Sequence, residues 1–211
     1  VCAVDLSQVK KVTSDYLNKK VDIISLQPKS FKNIFENIED VAKKLNVFNA
    51  LNKNKINKLL HRVNDVRQRK KSSKNVICIE WCNPLMVAGN WIPDMVKIAG
   101  GNVLCGINNK NSHWIDFKSV RDLNPEIIIF MPCGYNLLQT HRDIAKLFEK
   151  NAYWKDLNAY RNKKLYLVDG NQYFNRPGPR IVDSLEILAE IFNPDDFNYG
   201  YKGKGWKNYF D

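Results

Sequence analysis

Three stretches of this 211-residue chain carry side chains suited to holding a ligand, and each follows an apolar run of strand type. The first, WCNPLMVAGNW, brings Trp81, Asn83, Met86, Asn90 and Trp91. The second, PCGYN, brings Cys133, Tyr135 and Asn136; the third, DGNQYFNRPGP, brings Asn171, Gln172, Tyr173, Phe174, Asn175 and Arg176. Large rings with a few amides suit a bulky, flat, polar-edged ligand better than a metal or a phosphate. A single loop of this kind closes the end of many sheets; three in succession favour a ligand wall.

Covalent and acid–base chemistry find less support. Cys133 before Gly134 resembles a nucleophile at a strand-to-helix turn, with His141 in the next helix. No feature supplies a base in reach or an oxyanion hole. His113 beside Trp114, with Cys105 upstream, lacks a metal-ligand spacing. Asp116 and Asp169 read as cap and turn residues, and neither a GxGxxG nor a phosphate-loop pattern occurs. The expectation is binding without catalysis, with no metal site and no cofactor.

The elements that must position these loops are regular from Asn75 onward. Residues 76–80 form a strand, 93–99 a helix stopped at Gly100-Gly101, and 103–104 a short strand. Residues 119–123 fit a helix ended by Asn124-Pro125, and EIIIFM is a strand of the buried parallel type. A helix through 144–149, a connector around Trp154, Leu157 and Tyr160, and a strand at 165–168 follow. After the Asp169-Gly170 turn, a helix opening at Pro179-Arg180 carries Ile181, Val182, Leu185, Leu188, Ala189 and Phe192 on one face. This alternation predicts a parallel sheet with helices on both faces, whose strand-end loops lie along one edge.

Upstream, residues 6–19 read as a polar helix and 21–26 as a strand ending at Pro28. Ser30 N-caps a helix with Phe31, Ile34, Phe35, Ile38, Val41, Ala42 and Leu45 on one stripe. A second helical pattern runs from Phe48 through Val66 into RQRKKSSK. Nothing at Asn46 or Asn49 forces a break, so one bent helix and two helices both fit. Residues 67–74 are the best boundary.

The net charge of +11 is uneven: residues 1–74 hold 17 Lys/Arg against 7 Asp/Glu, and the remainder 16 against 15. Lysines on solvated helix faces explain this better than a nucleic-acid surface. No stretch approaches the roughly 20 apolar residues of a membrane-spanning helix. The five cysteines lack zinc-ribbon and CxxC spacing, and Cys78 reads as core. A disulfide pair among the five stays open. The last sixteen residues interleave aromatics, lysines and Gly200, Gly203 and Gly205, and read as a tail, mobile or docked on its own domain.

EWCNPLMVAGNWIPDMVKIAGG, PCGY and VDGNQYFNRPGPRIVDSLEILAEIFNP resemble the C-terminal lobe of cobalamin-binding proteins, the substrate-binding components of cobalamin/iron-siderophore-type ABC importers. CAVDLSQV, VDIISLQP and the following helix resemble the end of that family's first lobe. The resemblance implies an α/β, two-lobed periplasmic-binding-protein-like fold with a long interlobe helix from residue 47 to about 71. It divides the chain into a first-lobe remainder (1–46), interlobe helix and connector (47–74) and C-terminal lobe (75–195), and leaves the tail (196–211) without a counterpart in the family. The family's earlier first-lobe strands and export signal have no counterpart, so the first lobe is expected to be incomplete. The acidic permease-docking residue sought before Arg176 is Asn175.

Carried over by position, the implied ligand-facing residues are Trp81, Asn83, Trp91, Tyr135, Asn171, Tyr173, Phe174 and Arg176, with Trp114 a further candidate and Arg176 also suited to ordering its loop. The implied ligand is cobalamin and the implied partner an ABC permease, with nucleic acid not expected. An upstream signal would make the protein periplasmic or extracytoplasmic and membrane-associated; without one it would be cytoplasmic. The alternatives are a haem or ferric-siderophore binder of the same fold, and a cytoplasmic corrinoid-metabolism protein or enzyme.

Overall fold

The computed structural model describes residues 6–17, 21–71 and 73–211. Three helices come first: α1 (Leu6–Tyr16), α2 (Phe31–Lys44) and α3 (Ala50–Arg69). Ser30 caps α2 as expected, its side chain accepting from the Asn33 N–H at 3.1 Å. The break between α2 and α3 has a local cause that the pattern hid. Asn46 turns left-handed with φ 55°, and Asn49 caps α3 by accepting from the Asn52 N–H at 3.0 Å. Asparagine tolerates both roles better than most residues.

Residues 21–26 correct the sequence reading. They form no strand. A strand exists through its ladder partners, and every described strand belongs to one sheet built from residue 74 onward. Cys2 lies outside the described residues.

That sheet contains β1 (Lys74–Cys82), β2 (Leu85–Val87), β3 (Gly101–Cys105), β4 (His113–Trp114), β5 (Ile127–Phe130), β6 (Leu165–Val168) and β7 (Trp206–Asn208). β1 pairs parallel with β5 along one edge, and β5 with β6. Its other edge is shared by β3, parallel to its first half, and β2, antiparallel to its second half. The crossover helices are α4 (Ile92–Ala99), α5 (Phe117–Leu123), α6 (Leu137–Lys150), α7 (Asn158–Arg161) and α8 (Ile181–Phe192). Chain alternation sorts the core in two. Val76, Cys78, Ile127 and Ile129 face α2, α3, α4 and α8; Ile77, Ile79, Ile128 and Phe130 face α5, α6 and α7. Helices on both faces are the expected arrangement.

The tail is docked. β7 pairs antiparallel with β6, with Val168 opposite Trp206, and so covers the sheet edge. Docking also changes α8, read above as one-faced. All but one of its residues, Asp183, are buried, including Ser184, Glu186 and Glu190, because the tail closes over its outer side. Glu190 accepts from the Trp206 Nε1–H and the Tyr199 backbone N–H. Glu186 accepts from the Tyr201 hydroxyl at 3.1 Å.

Candidate ligand cleft

Between β1 and β5 the connections diverge: β1 leads through α4 to β3 on one side, and β5 continues to β6 on the other. Open α/β sheets bind ligands at such a switch point, beyond the carboxyl ends of the strands. A cleft of about 520 Å³ lies there, lined by the buried Glu80 and Met86, by Trp81, Trp91 and the exposed Trp114, and by Asn90, Cys133 and Asn175.

A bulge in β1 aims Glu80 and Trp81. Ile79 is opposite Val87 and Trp81 opposite Met86, so Glu80 is the extra residue on its strand. The consequence is visible in the core. Cys78 belongs to one face, yet Cys82, four residues on, packs with Ile77 and Ile79 on the other. Bulges re-aim side chains in this way. Here Glu80 and Trp81 both reach the cleft.

Glu80 is only 8% exposed, and burial raises its carboxyl above the ordinary range of about 4.5. The Ser112 hydroxyl donates to its Oε2 while accepting the Gly89 N–H at 3.1 Å. Gly89 is required for this contact, since a Cβ there would overlap the backbone of Lys110, Asn111 and Ser112. The Asn90 N–H donates to the Lys110 carbonyl at 2.6 Å, completing the network.

The wall is laced in the same way. The Trp91 Nε1–H donates to the Phe174 carbonyl at 3.1 Å. The Asn171 N–H reaches the Tyr135 carbonyl at 3.1 Å, and Asn175 Nδ2 the Met131 carbonyl at 3.3 Å. Asp169 caps the π-helical turn of residues Gly170–Phe174 by accepting from the Gln172 N–H at 2.7 Å, the turn role expected of it. Asp116 is likewise a cap, accepting from the Ser119 N–H at 2.7 Å.

The structure sorts the sequence candidates into groups. Trp81 and Trp91 line the cleft, and Trp114 joins them with 61% of its surface exposed. Asn83 and Tyr135 line an adjoining cleft of about 290 Å³ on the other side of Trp81, whose ring meets Tyr135 edge-on at 5.5 Å. Arg176 orders its own loop, donating from Nε to the Asn171 carbonyl at 2.6 Å and from an η nitrogen to Asn171 Oδ1 at 2.9 Å.

One candidate is corrected. The Phe174 ring is fully buried in the core, so only its carbonyl serves the cleft, by orienting Trp91. Tyr173 faces Tyr201 of the tail at 6.0 Å. Sequence reasoning missed Glu80, reading it as the end of a strand. The signal was a lone carboxylate in the otherwise apolar run VICIE.

The pairing of Cys133 with His141 offered by the sequence finds no support, because His141 stacks on Tyr209 at 5.2 Å. Cys105 Sγ does come within 3.7 Å of His113 Nε2, which spacing alone did not reveal, but burial raises the thiol and keeps it protonated. Cys78, Cys82 and Cys105 are in no disulfide. Among the described residues no cluster of three or more His, Cys, Asp or Glu is placed to hold a metal ion, and no helix is long and apolar enough to cross a membrane.

The sequence profile of the periplasmic binding proteins matches residues 4–171, well over half of the chain. The chain belongs to this family. Its members are the non-catalytic substrate-binding proteins of ABC transporters.

Among curated relatives, an uncharacterized ABC transporter substrate-binding lipoprotein of Bacillus subtilis, YvrC, is 31% identical over 86 residues, covering 40% of this chain and 24% of that protein. The high-affinity heme uptake system protein IsdE of Staphylococcus aureus is 28% identical over 105 residues, 49% of this chain and 36% of that protein. The matches thus span about a quarter to a third of these relatives' length.

The fold is shared with an ABC transporter substrate-binding protein of Listeria monocytogenes (TM-score 0.74, 18% identity, 90% of this chain and 73% of that one). It is shared too with heme-bound IsdE of S. aureus (TM-score 0.69, 20% identity, 90% and 76%). The periplasmic vitamin B12 binding protein BtuF of Vibrio cholerae is a third similar structure (TM-score 0.66, 16% identity, 89% and 69%). The two-lobed α/β fold is therefore the fold of this chain, which covers part of it.

Proposed function

We propose that this chain binds a corrinoid, cobalamin, in the tryptophan cleft as the ligand-binding component of an ABC importer, with the permease as its partner outside the cytoplasm. The observation that carries this reading is the lining of the cleft. Trp81, Trp91 and Trp114 offer wide apolar faces, and Asn90 and Asn175 line the cleft with them. Rings of that area suit the plane of a macrocycle, and side-chain amides suit the carboxamides around a corrin. Asn83 and Tyr135, across Trp81, extend the same wall. Similarity to a vitamin B12 binding protein supports the reading at the level of fold.

Haem is the second reading, favoured by one observation: Met86, a side chain able to ligate haem iron, lines the cleft. Titration with cyanocobalamin, followed by tryptophan fluorescence, tests the first reading, with quenching expected at micromolar ligand or below. Absent quenching at micromolar cyanocobalamin, together with a Soret band on adding haemin, would replace it with the second.

A further inference from the structure

Among the described residues, Glu80 is the one acidic side chain lining the cleft. It is more than nine-tenths buried, and the β1 bulge aims it there. Its attachment determines which atom is left for a ligand. Ser112 has one hydroxyl proton, and that proton goes to Oε2, while a Ser112 lone pair takes the Gly89 N–H. Among the described residues no other side chain bonds the carboxyl, so Oε1 is the oxygen without a described side-chain partner, on a residue that lines the cleft. An acceptor fixed in an apolar cleft matches an N–H donor on a ligand, and its charge opposes a carboxylate brought to the same place, because little water screens either interaction. Ligands of equal ring size are thereby separated by what hangs from the ring.

The geometry points to Glu80 as the specificity-determining residue of the cleft, accepting a hydrogen bond from a carboxamide N–H at the periphery of a flat ligand and turning away ligands that carry carboxylates there. The inference rests on the tryptophan cleft being the ligand site, and it names the ligand's peripheral chemistry. Ser112 is the positioning residue, since it fixes which oxygen is offered.

Two ligand pairs, each with one macrocycle in amide or ester and in acid form, test it on the intact chain. Dicyanocobinamide is compared with cobyrinic acid, and haemin dimethyl ester with haemin. The native protein should bind the neutral member of the pair it accepts at least tenfold more tightly, the scale of one charge-assisted hydrogen bond for the amide and of one relieved like-charge contact for the ester, which has no N–H to donate. Glu80→Gln should bring that ratio to within about threefold while leaving the melting profile cooperative, and Ser112→Ala should lower it partly.

A native ratio near one, or a ratio that Glu80→Gln leaves unchanged, overturns the role of Glu80. If Glu80→Gln fails to fold, the Ser112→Ala ratio decides alone, and no change there also overturns it. Binding of the haem pair and of neither corrinoid overturns the corrinoid reading and leaves Glu80 to be judged on haemin against its ester. Binding of neither pair overturns both.

Discussion

At the scale of residues, Trp91 is the best-determined wall of the cleft, its ring lining the space while its Nε1–H is held by the Phe174 carbonyl. Trp91→Ala should weaken corrinoid binding by about thirtyfold, the loss of one buried aromatic anchor of about 2 kcal/mol. Fluorescence of the remaining tryptophans measures it. Glu80 also carries a pH dependence whose sign follows from burial. Its folded-state pKa lies above the ordinary value of 4.5, so its contribution to stability is fully present below that value and is lost as pH rises through the folded one. Thermal melts should therefore show Glu80→Gln gaining on the native chain from pH 4.5 to pH 8; a constant difference would contradict the linkage. Burial pushes the Cys78 and Cys82 thiols up to about 12, whereas Cys133 is exposed. Thiol labelling at about pH 8 with peptide mapping should reach Cys78 and Cys82 only after denaturation.

At the scale of elements, the tail behaves as part of the domain. It covers the β6 edge and clamps α8 to α3. Arg62 of α3 pairs with Asp183 at 2.5 Å and Glu186 at 2.6 Å, and Glu186 also takes the Tyr201 hydroxyl. Arg69 lies over the Phe197 ring at 4.5 Å, and the Tyr199 hydroxyl donates to Asp65 at 3.1 Å. Arg62→Ala leaves Glu186, with 6% of its side chain exposed, buried beside Asp183 without its cation. Breaking a fully buried pair costs about 3–5 kcal/mol; with 37% of the Arg62 side chain in solvent, about 2 kcal/mol is expected in urea unfolding. Removing residues 196–211 should cost far more and promote association, because it opens the β6 edge and uncovers α8. A truncated chain that stays monomeric with an unchanged urea midpoint would refute the clamp.

At the scale of the molecule, the cleft belongs to one sheet whose two faces are both packed, so ligand binding reports on the whole lobe. Ligand at a hundredfold excess over Kd should stabilise it by about 2.7 kcal/mol, a rise of roughly 5–10 °C in Tm. Calorimetry with and without cyanocobalamin checks this. The net charge of +11 sits largely on the first 74 residues, and no lysine or arginine is among the described residues lining the cleft. Binding of the neutral corrinoid should therefore change little between 50 and 300 mM salt, unlike association driven by phosphate contacts.

Strand and helix alternation, the caps at Ser30 and Asp116, and the three aromatic loops were legible in the residues, because periodicity and capping act over a few neighbours. Residues 21–26 misled for a matching reason: β-type composition makes a strand only where a ladder partner exists. Which rings share the cleft depended on contacts between distant segments. Phe174 and Tyr173 look alike in DGNQYFNRPGP, yet one ring enters the core and the other meets Tyr201 across a turn that Asp169 caps. Glu80 reaches the cleft through a register shift between β1 and β2, a property of the pairing and of neither strand alone. Local order was written in the sequence, whereas the direction of each side chain was set by packing against residues tens of positions away.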